Sequence, residues 1–336
     1  MQKVAVSGPA QVAPASRGRV LGARAISVLQ RQGALVALIL VCIFGASRYY
    51  AFATPENLLN VLRQNSMLGL VALGMTFVIL TGGIDLSVGA LLAVSGVVAA
   101  TLSPNGALVA VAGGIAAAAA LGLVNGLVIA KARIQPFVVT LAMLIAARGA
   151  ALAVTAEQSI PVDRAATGIT WLGRGTIGPI PVPVIICALA YALGWLVLRY
   201  TRFGRYVFAV GDNEEAARLM GLKADRVVIR TYVLSGALAG LAGVILAARL
   251  GAGQPVAGMG WELDAIAAVV VGGTLLTGGQ GGAGATLIGV LLLGIIFNLF
   301  NLEGTISPWW QFVVRGVFLL GVVLLQAKLQ HRVHDE

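Results

Sequence analysis

RYTRFGRYVFAVGDNEEAARLMGLKADRVVIR, residues 199–230, is the one long polar stretch of this 336-residue chain. Seven of its residues are basic and four acidic, whereas the whole chain holds only 23 Lys and Arg and 13 Asp and Glu. On both sides lie apolar runs too long for a soluble core. No charge falls within residues 64–84, 86–130, 175–198, 231–248 or 265–302. Several of these exceed the roughly 20 residues that cross a bilayer. Lipid cannot satisfy backbone polar groups, so such segments must be helices. They neither alternate nor come in short lengths, which argues against a strand barrel. A charged island in an apolar chain points to a membrane protein with a docking surface for something soluble.

Composition agrees. The chain is 59% hydrophobic, with 44 glycines besides, and its mean hydropathy is +0.94. Its net charge of +10 is not a nucleic-acid signal. The basic residues cluster at helix ends, as cytoplasmic loops require, and no Arg–aromatic alternation tracks a phosphate backbone. Cys42 and Cys187 lie inside apolar runs and read as small buried hydrophobes. The first apolar run reads as a crossing rather than as a removed leader.

Ten crossings fit the pattern, at roughly 33–50, 66–82, 86–103, 107–130, 136–154, 181–199, 229–249, 264–277, 284–300 and 309–327. With the N-terminus inside, Lys131 and Arg133, then Arg199, Arg202 and Arg205, then Lys328 and Arg332 all fall inside. The segments 51–65, 104–106, 155–180, 250–263 and 301–308 fall outside and are lightly charged. Trp261, Trp309 and Trp310 fall at an interface, as anchoring aromatics do. Two segments are broken: LTGGIDLSVG (80–89) and the glycine-rich VGGTLLTGGQGGAG (271–284). Glycine loosens a helix, and breaks within a membrane survive only where protein or a water-filled path surrounds them. Residues 271–284 lie near the expected inner face, where a plain loop is the simpler reading. Small residues in SGALAGLAG (235–243) allow close helix packing.

Within the island, Asn213 is a natural N-cap, and Glu214 and Glu215 meet the positive end of the helix that follows. Ala216, Ala217, Leu219 and Met220 give it a small apolar face, and Gly221 is a natural C-cap. These residues alone leave a solvated loop and a docking helix both open. Asp85 sits between apolar runs, where a charge is costly. It reads either as a cap for a helix starting near Ser87 or as a lining or gate residue. Arg148 and Arg315 lie inside crossings. They read as partners of Glu262, Asp264 or Glu303, as snorkelling to the interface, or as docking groups. Asn65, Asn125, Gln135, Asn298 and Asn301 are uncharged polar groups in or near crossings. Asn125 and Asn298 are the best candidates to line a path, against interhelical glue.

Long ordered blocks carry a resemblance: LTGGIDLSVGALLAVSG, NGLVIAKARIQPFVVTLAMLIAARG (125–149), TRFGRYVFAVGDNEEAARLMG (201–221) and ARLGAGQPVAGMGWELDAIAAVVVGGT (248–274). The chain resembles the ribose-type sugar permeases, membrane subunits of bacterial ABC importers. Asp212 and Gln280 depart from the usual pattern, where a small residue and an arginine are common. The resemblance implies an all-α polytopic fold in the inner membrane, with broken helices and both termini cytoplasmic. It implies a basic N-terminal segment (1–30), a permease domain (31–327) with a coupling segment (199–228), and a C-terminal tail (328–336). It implies partners: a second, identical permease subunit, ABC ATPase subunits, a periplasmic sugar-binding protein and membrane lipid, but no nucleic acid. The coupling site would comprise Arg205, Gly211, Asn213, Glu214, Glu215, Ala216, Ala217, Leu219, Met220 and Gly221. Arg202, Arg205, Arg218, Lys223 and Arg226 would pair with ATPase acids or lipid headgroups. The path or gate would draw on Asn65, Asp85, Ser87, Asn125 and Asn298.

No GxxxxGK[ST] occurs, so no cofactor is expected on this chain, and ATP and Mg belong to the ATPases. The chain itself would be non-catalytic. A polyol or nucleoside is the alternative cargo. A secondary transporter would need acids near midplane, and a membrane enzyme would need clustered acids and histidines. The two histidines, His331 and His334, are both near the C-terminus.

Overall fold

The computed structural model describes residues 17–304 except 164, together with 310, 313, 316, 317, 320 and 321; for 17–32 only the backbone is described. Among the described residues up to 304, twelve α-helices run in order: α1 Arg17–Arg48, α2 Pro55–Leu80, α3 Val88–Leu102, α4 Ala107–Ala132, α5 Pro136–Thr155 and α6 Thr167–Arg174. Then follow α7 Val182–Tyr200, α8 Arg202–Asp212, α9 Glu214–Leu219, α10 Ala224–Leu250, α11 Trp261–Val271 and α12 Ala283–Glu303. The strands are two-residue pieces. β1 (Ile160–Pro161) pairs antiparallel with β4 (Ala252–Gly253), and β2 (Thr176–Ile177) with β3 (Ile180–Pro181).

Seven helices among the described residues, not ten, are long and apolar enough to cross a membrane: α2, α3 with its 3-10 extension to Asn105, α4, α5, α7, α10 and α12. The expected crossing 264–277 is corrected by α11, whose 11 residues span about 16 Å. Glycine turns follow it instead of more helix. The apolar part of α1, Gly33–Arg48, is also short. The expected crossing 309–327, with Trp309 and Arg315, lies largely outside the described residues.

Local chemistry sets the helix ends. Thr54, extended at φ −68° and ψ 142°, accepts from Asn57 N at 3.4 Å, and Pro55 follows at the first helical position. α2 stops at Thr81, and Gly82 turns the chain at φ +76°. Every residue from Ser66 to Leu80 is buried, so α2 is the central rod of the bundle. A helix that is apolar all round must be surrounded on all sides. α4 and α10 pack closely because Gly122 and Gly236 carry no side chain: a Cβ on either would overlap a carbonyl of the other helix, at Tyr232 or Ala118. The small-residue stretch 235–243 thus does the packing its spacing suggests. Leu108, Ile145, Leu189 and Leu193 point outward, an apolar exterior suited to a bilayer.

One end of the bundle carries α8, α9 and the chain breaks at 81–87 and 272–282. The opposite end carries α6 and the strand pairs. There Arg148 Nη1 donates to the carbonyls of Pro255 (2.6 Å) and Ala257 (2.8 Å). Arg148 therefore ties down the loop after β4 through backbone oxygens; the loop folds back over α5, bringing carbonyls nearer than the acids expected from the sequence.

Candidate functional site

The island folds as two short helices. Thr201 caps α8, its hydroxyl accepting from Gly204 N at 3.1 Å. Val207 and Val210 bury the inner face of α8. Asn213, extended, ends α8 and caps α9, its Oδ1 accepting from Ala216 N at 2.8 Å. At the other end of α9, Gly221 N donates to Arg218 O (2.9 Å) and Leu222 N to Ala217 O (3.0 Å), with Gly221 at φ +84°. This paired closure is the Schellman arrangement, which a glycine in the left-handed region permits. The caps fix the phase of the helix. Ala217 is 1% exposed, while Leu219 is 85% and Met220 73% exposed. The expected single apolar face is therefore split: Ala217 packs inward, and Leu219 and Met220 stand in the open.

The charges pair locally. Arg218 reaches Glu214 at 2.7 Å and Asp225 at 2.5 Å, and Lys131 reaches Asp225 at 3.2 Å. Arg218 is thus held by its own chain's acids rather than presented to a partner. Exposed pairs of this kind add little stability, but they orient α9 against the starts of α10 and the end of α4. A cleft of about 660 Å³ opens beneath α9, lined among others by Gly82, Gly83, Arg133, Gln135, Glu214 and Glu215.

Asp85, Ser87 and Asn125 come together in a sealed knot between α2 and α3. Asp85 is 0% exposed. Its Oδ1 accepts from Ser87 N (3.0 Å) and Ser87 Oγ (2.6 Å), and its Oδ2 from Ser235 Oγ on α10 (2.9 Å). Asn125 Nδ2 on α4 donates to Ser87 Oγ at 2.9 Å, while its Oδ1 has no partner among the described residues. Thr140 and Tyr232 hydroxyls donate to the Ile84 carbonyl at 3.2 and 3.3 Å. Asp85 thus accepts from the backbone N–H and hydroxyl of Ser87, the residue just before α3, and holds the turn that leads into that helix. None of the three residues lines either cleft.

The second cleft, about 250 Å³, lies near the opposite end between α2, α10, α11 and α12. Asn65 and Asn298 line it, joined by Gln64, Arg249, Trp261, Asp264 and Asn301 over a floor of Met67, Leu68, Leu246 and Phe297. Asn65 Nδ2 donates to Val61 O at 2.8 Å. Its amide lies across Gly294, where any Cβ would overlap it. Asn298 and Asn57 exchange amide hydrogen bonds of 2.8 and 3.0 Å. Amides, one carboxylate, one guanidinium and an indole are the groups that hold hydroxyl-rich neutral ligands. Sequence reasoning passed over Gln64 and Arg249. Each neighbours an apolar run, and only the packing of α2 on α10 brings them together.

A polytopic bundle around a buried central helix, with interrupted helices and a short capped helix at one end, defines a membrane permease. The family described as branched-chain amino acid transport system / permease component matches residues 57–323, and the chain belongs to that family. It is 45% identical over 311 residues to the ribose import permease protein RbsC of Escherichia coli (strain K12), covering 90% of this chain and 95% of that one. It is 45% identical over 303 residues to the protein of the same name from Bacillus subtilis (strain 168), covering 90% and 94%. To the L-arabinose ABC transporter permease protein AraH of Azospirillum brasilense it is 36% identical over 326 residues, covering 96% and 94%. No solved structure matches the chain.

Proposed function

We propose that this chain is the transmembrane subunit of an ATP-driven importer for a ribose-like monosaccharide. The near-full-length match to ribose import permeases carries the reading. The more distant likeness to an arabinose permease keeps the cargo within monosaccharides and ranks ribose first. In this reading the α9 end faces the cytoplasm, as do the termini, with 1–30 and 328–336 as tails to a permease domain at 31–327. Two copies of the permease pair, and each meets an ATPase subunit that holds ATP and Mg. A periplasmic binding protein delivers the sugar to the opposite end.

The subunit does no covalent chemistry; it alternates access. Exposed Leu219 and Met220 on α9 enter an apolar groove of the ATPase, a helix-in-groove contact. Arg205, Gly211, Asn213, Glu214, Glu215, Ala216, Ala217, Leu219, Met220 and Gly221 form this coupling site, flanked by Arg202, Lys223 and Arg226. Asn65 and Asn298 touch the sugar in passing. Asp85, Ser87 and Asn125 hold the break between α2 and α3 in shape as the helices move. The test is uptake by proteoliposomes holding this permease with its ATPase and binding protein. Labelled ribose should accumulate with ATP and ahead of arabinose, xylitol and adenosine. Accumulation of the nucleoside or polyol alone would overturn the substrate assignment.

A further inference from the structure

Three separate parts of the backbone meet next to α9 with no side chain between them. A Cβ on Gly211, in the last turn of α8, would overlap the Leu80 carbonyl oxygen and lie 2.7 Å from Gly279 N. Gly279 N donates to that same Leu80 oxygen at 3.1 Å. A Cβ on Gly278 would lie 2.8 Å from both Gly211 O and Gly82 N, and one on Gly279 would lie 3.0 Å from Asp212 Cα. Gly278 (φ +89°) and Gly279 (φ +71°) are also left-handed, so any substitution there is strained twice over.

Each part leads somewhere different. Gly211 lies two residues before Asn213, the cap of α9. Leu80 ends the buried central helix α2, a few residues from the Asp85 knot. Gly278 and Gly279 sit in the turn joining α11 to α12, which closes on itself through Gly278 N to Leu275 O (3.1 Å) and Leu275 N to Gln280 O (3.0 Å). Side-chain contacts can yield by changing rotamer, whereas close-packed backbone contacts cannot. A displacement of α9 is therefore passed directly to both interrupted parts of the bundle.

We infer that Gly211, Gly278 and Gly279 are the positioning residues that carry the movement of α9 into α2 and into the α11–α12 turn. The glycine-rich 271–284 segment is then a receiving element for force rather than a plain connection. The inference rests on the reading of α9 as the ATPase contact. Its substance is a rigid joint, the physical basis of coupling between separated sites.

The test uses the full transporter in proteoliposomes and reads ATP hydrolysed per sugar imported. Gly211→Ala and Gly279→Ala should keep ATP hydrolysis and insertion while raising that ratio about tenfold, within the range by which residues along a coupling network act. Gly282→Ala is the control in the same turn, because no atom of the described residues lies within 4 Å of its Cβ. A reversible arm pairs Asp212→Cys with Gly279→Cys. A Cβ at 279 would lie 3.3 Å from the Asp212 Cβ, close to disulfide spacing. Reduced, this pair should waste ATP; oxidised, it should return toward the wild-type ratio. A wild-type ratio in both alanine variants, unmoved by oxidation of the cysteine pair, overturns the joint. Loss of insertion in all of these with Gly282→Ala unaffected also overturns it, leaving the glycines a folding role alone. Leu219→Asp with Met220→Asp separates the two readings. If that variant uncouples and the glycine variants do not, only the joint fails. If it changes nothing, the reading of α9 fails as well.

Discussion

At the α9 end the charged groups satisfy one another in the open, and two large apolar side chains stand exposed beside them. At the opposite end the polar groups turn inward around a cleft, and apolar side chains make its floor. Exposed apolar groups on a rigid, capped helix lose water only when a partner covers them, which suits a lasting protein contact. Inward amides with protein partners of their own hold a hydroxyl-rich ligand weakly, which suits a molecule that must leave. Between them lies the Asp85 knot, polar like the cleft but closed. Polarity inside this bundle therefore does two jobs, and access to solvent separates them.

The largest expected effect breaks the closed member. Asp85→Ala removes the acceptor of Ser87 N–H, Ser87 O–H and Ser235 O–H, each a loss of about 1–3 kcal/mol when buried. Folded permease recovered from membranes, measured by size-exclusion in detergent, should fall severely, whereas Asn65→Leu should leave it unchanged. Next comes the α9 surface. Leu219→Asp should weaken capture of the ATPase by about thirty-fold, the scale of a central apolar anchor near 2 kcal/mol, measured by co-purification at graded ATPase concentration. Asn213→Ala is milder: losing a cap costs about 1 kcal/mol, and hydrogen exchange of α9 amides should quicken by about fivefold.

The cleft sharpens the contrast from the other side. Asp264→Asn and Asn65→Leu should raise the KM for sugar uptake by about fivefold, near 1 kcal/mol for a lost hydrogen bond, with ATP consumed per sugar unchanged. A changed coupling ratio and steady KM would assign these residues to the mechanics instead. Smallest is Glu214→Gln. Its ion pair with Arg218 is an exposed i,i+4 pair, Asp225 still holds the guanidinium, and such pairs contribute about 0.3–0.5 kcal/mol. Uptake should stay within about twofold of wild type by the same arithmetic.

Much of this was legible in the sequence because it is local. Asn213 and Gly221 announce the ends of α9 since caps depend on residues a few positions apart. Asp85 announces a polar turn between α2 and α3 for the same reason. The shortness of the expected crossing 264–277 was not legible, because hydropathy alone joins α11 to the apolar residues after it. The left-handed Gly273, just past the cap at Gly272, turns the chain away there instead. Nor was the split face of α9, since the inward turn of Ala217 depends on how α8 lies on the bundle. Arg148 shows the same limit: its partners are backbone carbonyls of a distant loop, which have no signature in composition. The cleft is legible only in fragments, as Asn65, Asn298 and Asn301, because Gln64, Arg249 and Asp264 join them through packing.

The most direct measurement labels Met220→Cys with a membrane-impermeant maleimide in intact cells and in inverted inner-membrane vesicles, with and without co-expressed ATPase. The account predicts labelling in inverted vesicles alone, and protection when the ATPase is present. Labelling from the outside of intact cells, or equal labelling with and without the ATPase, would contradict it.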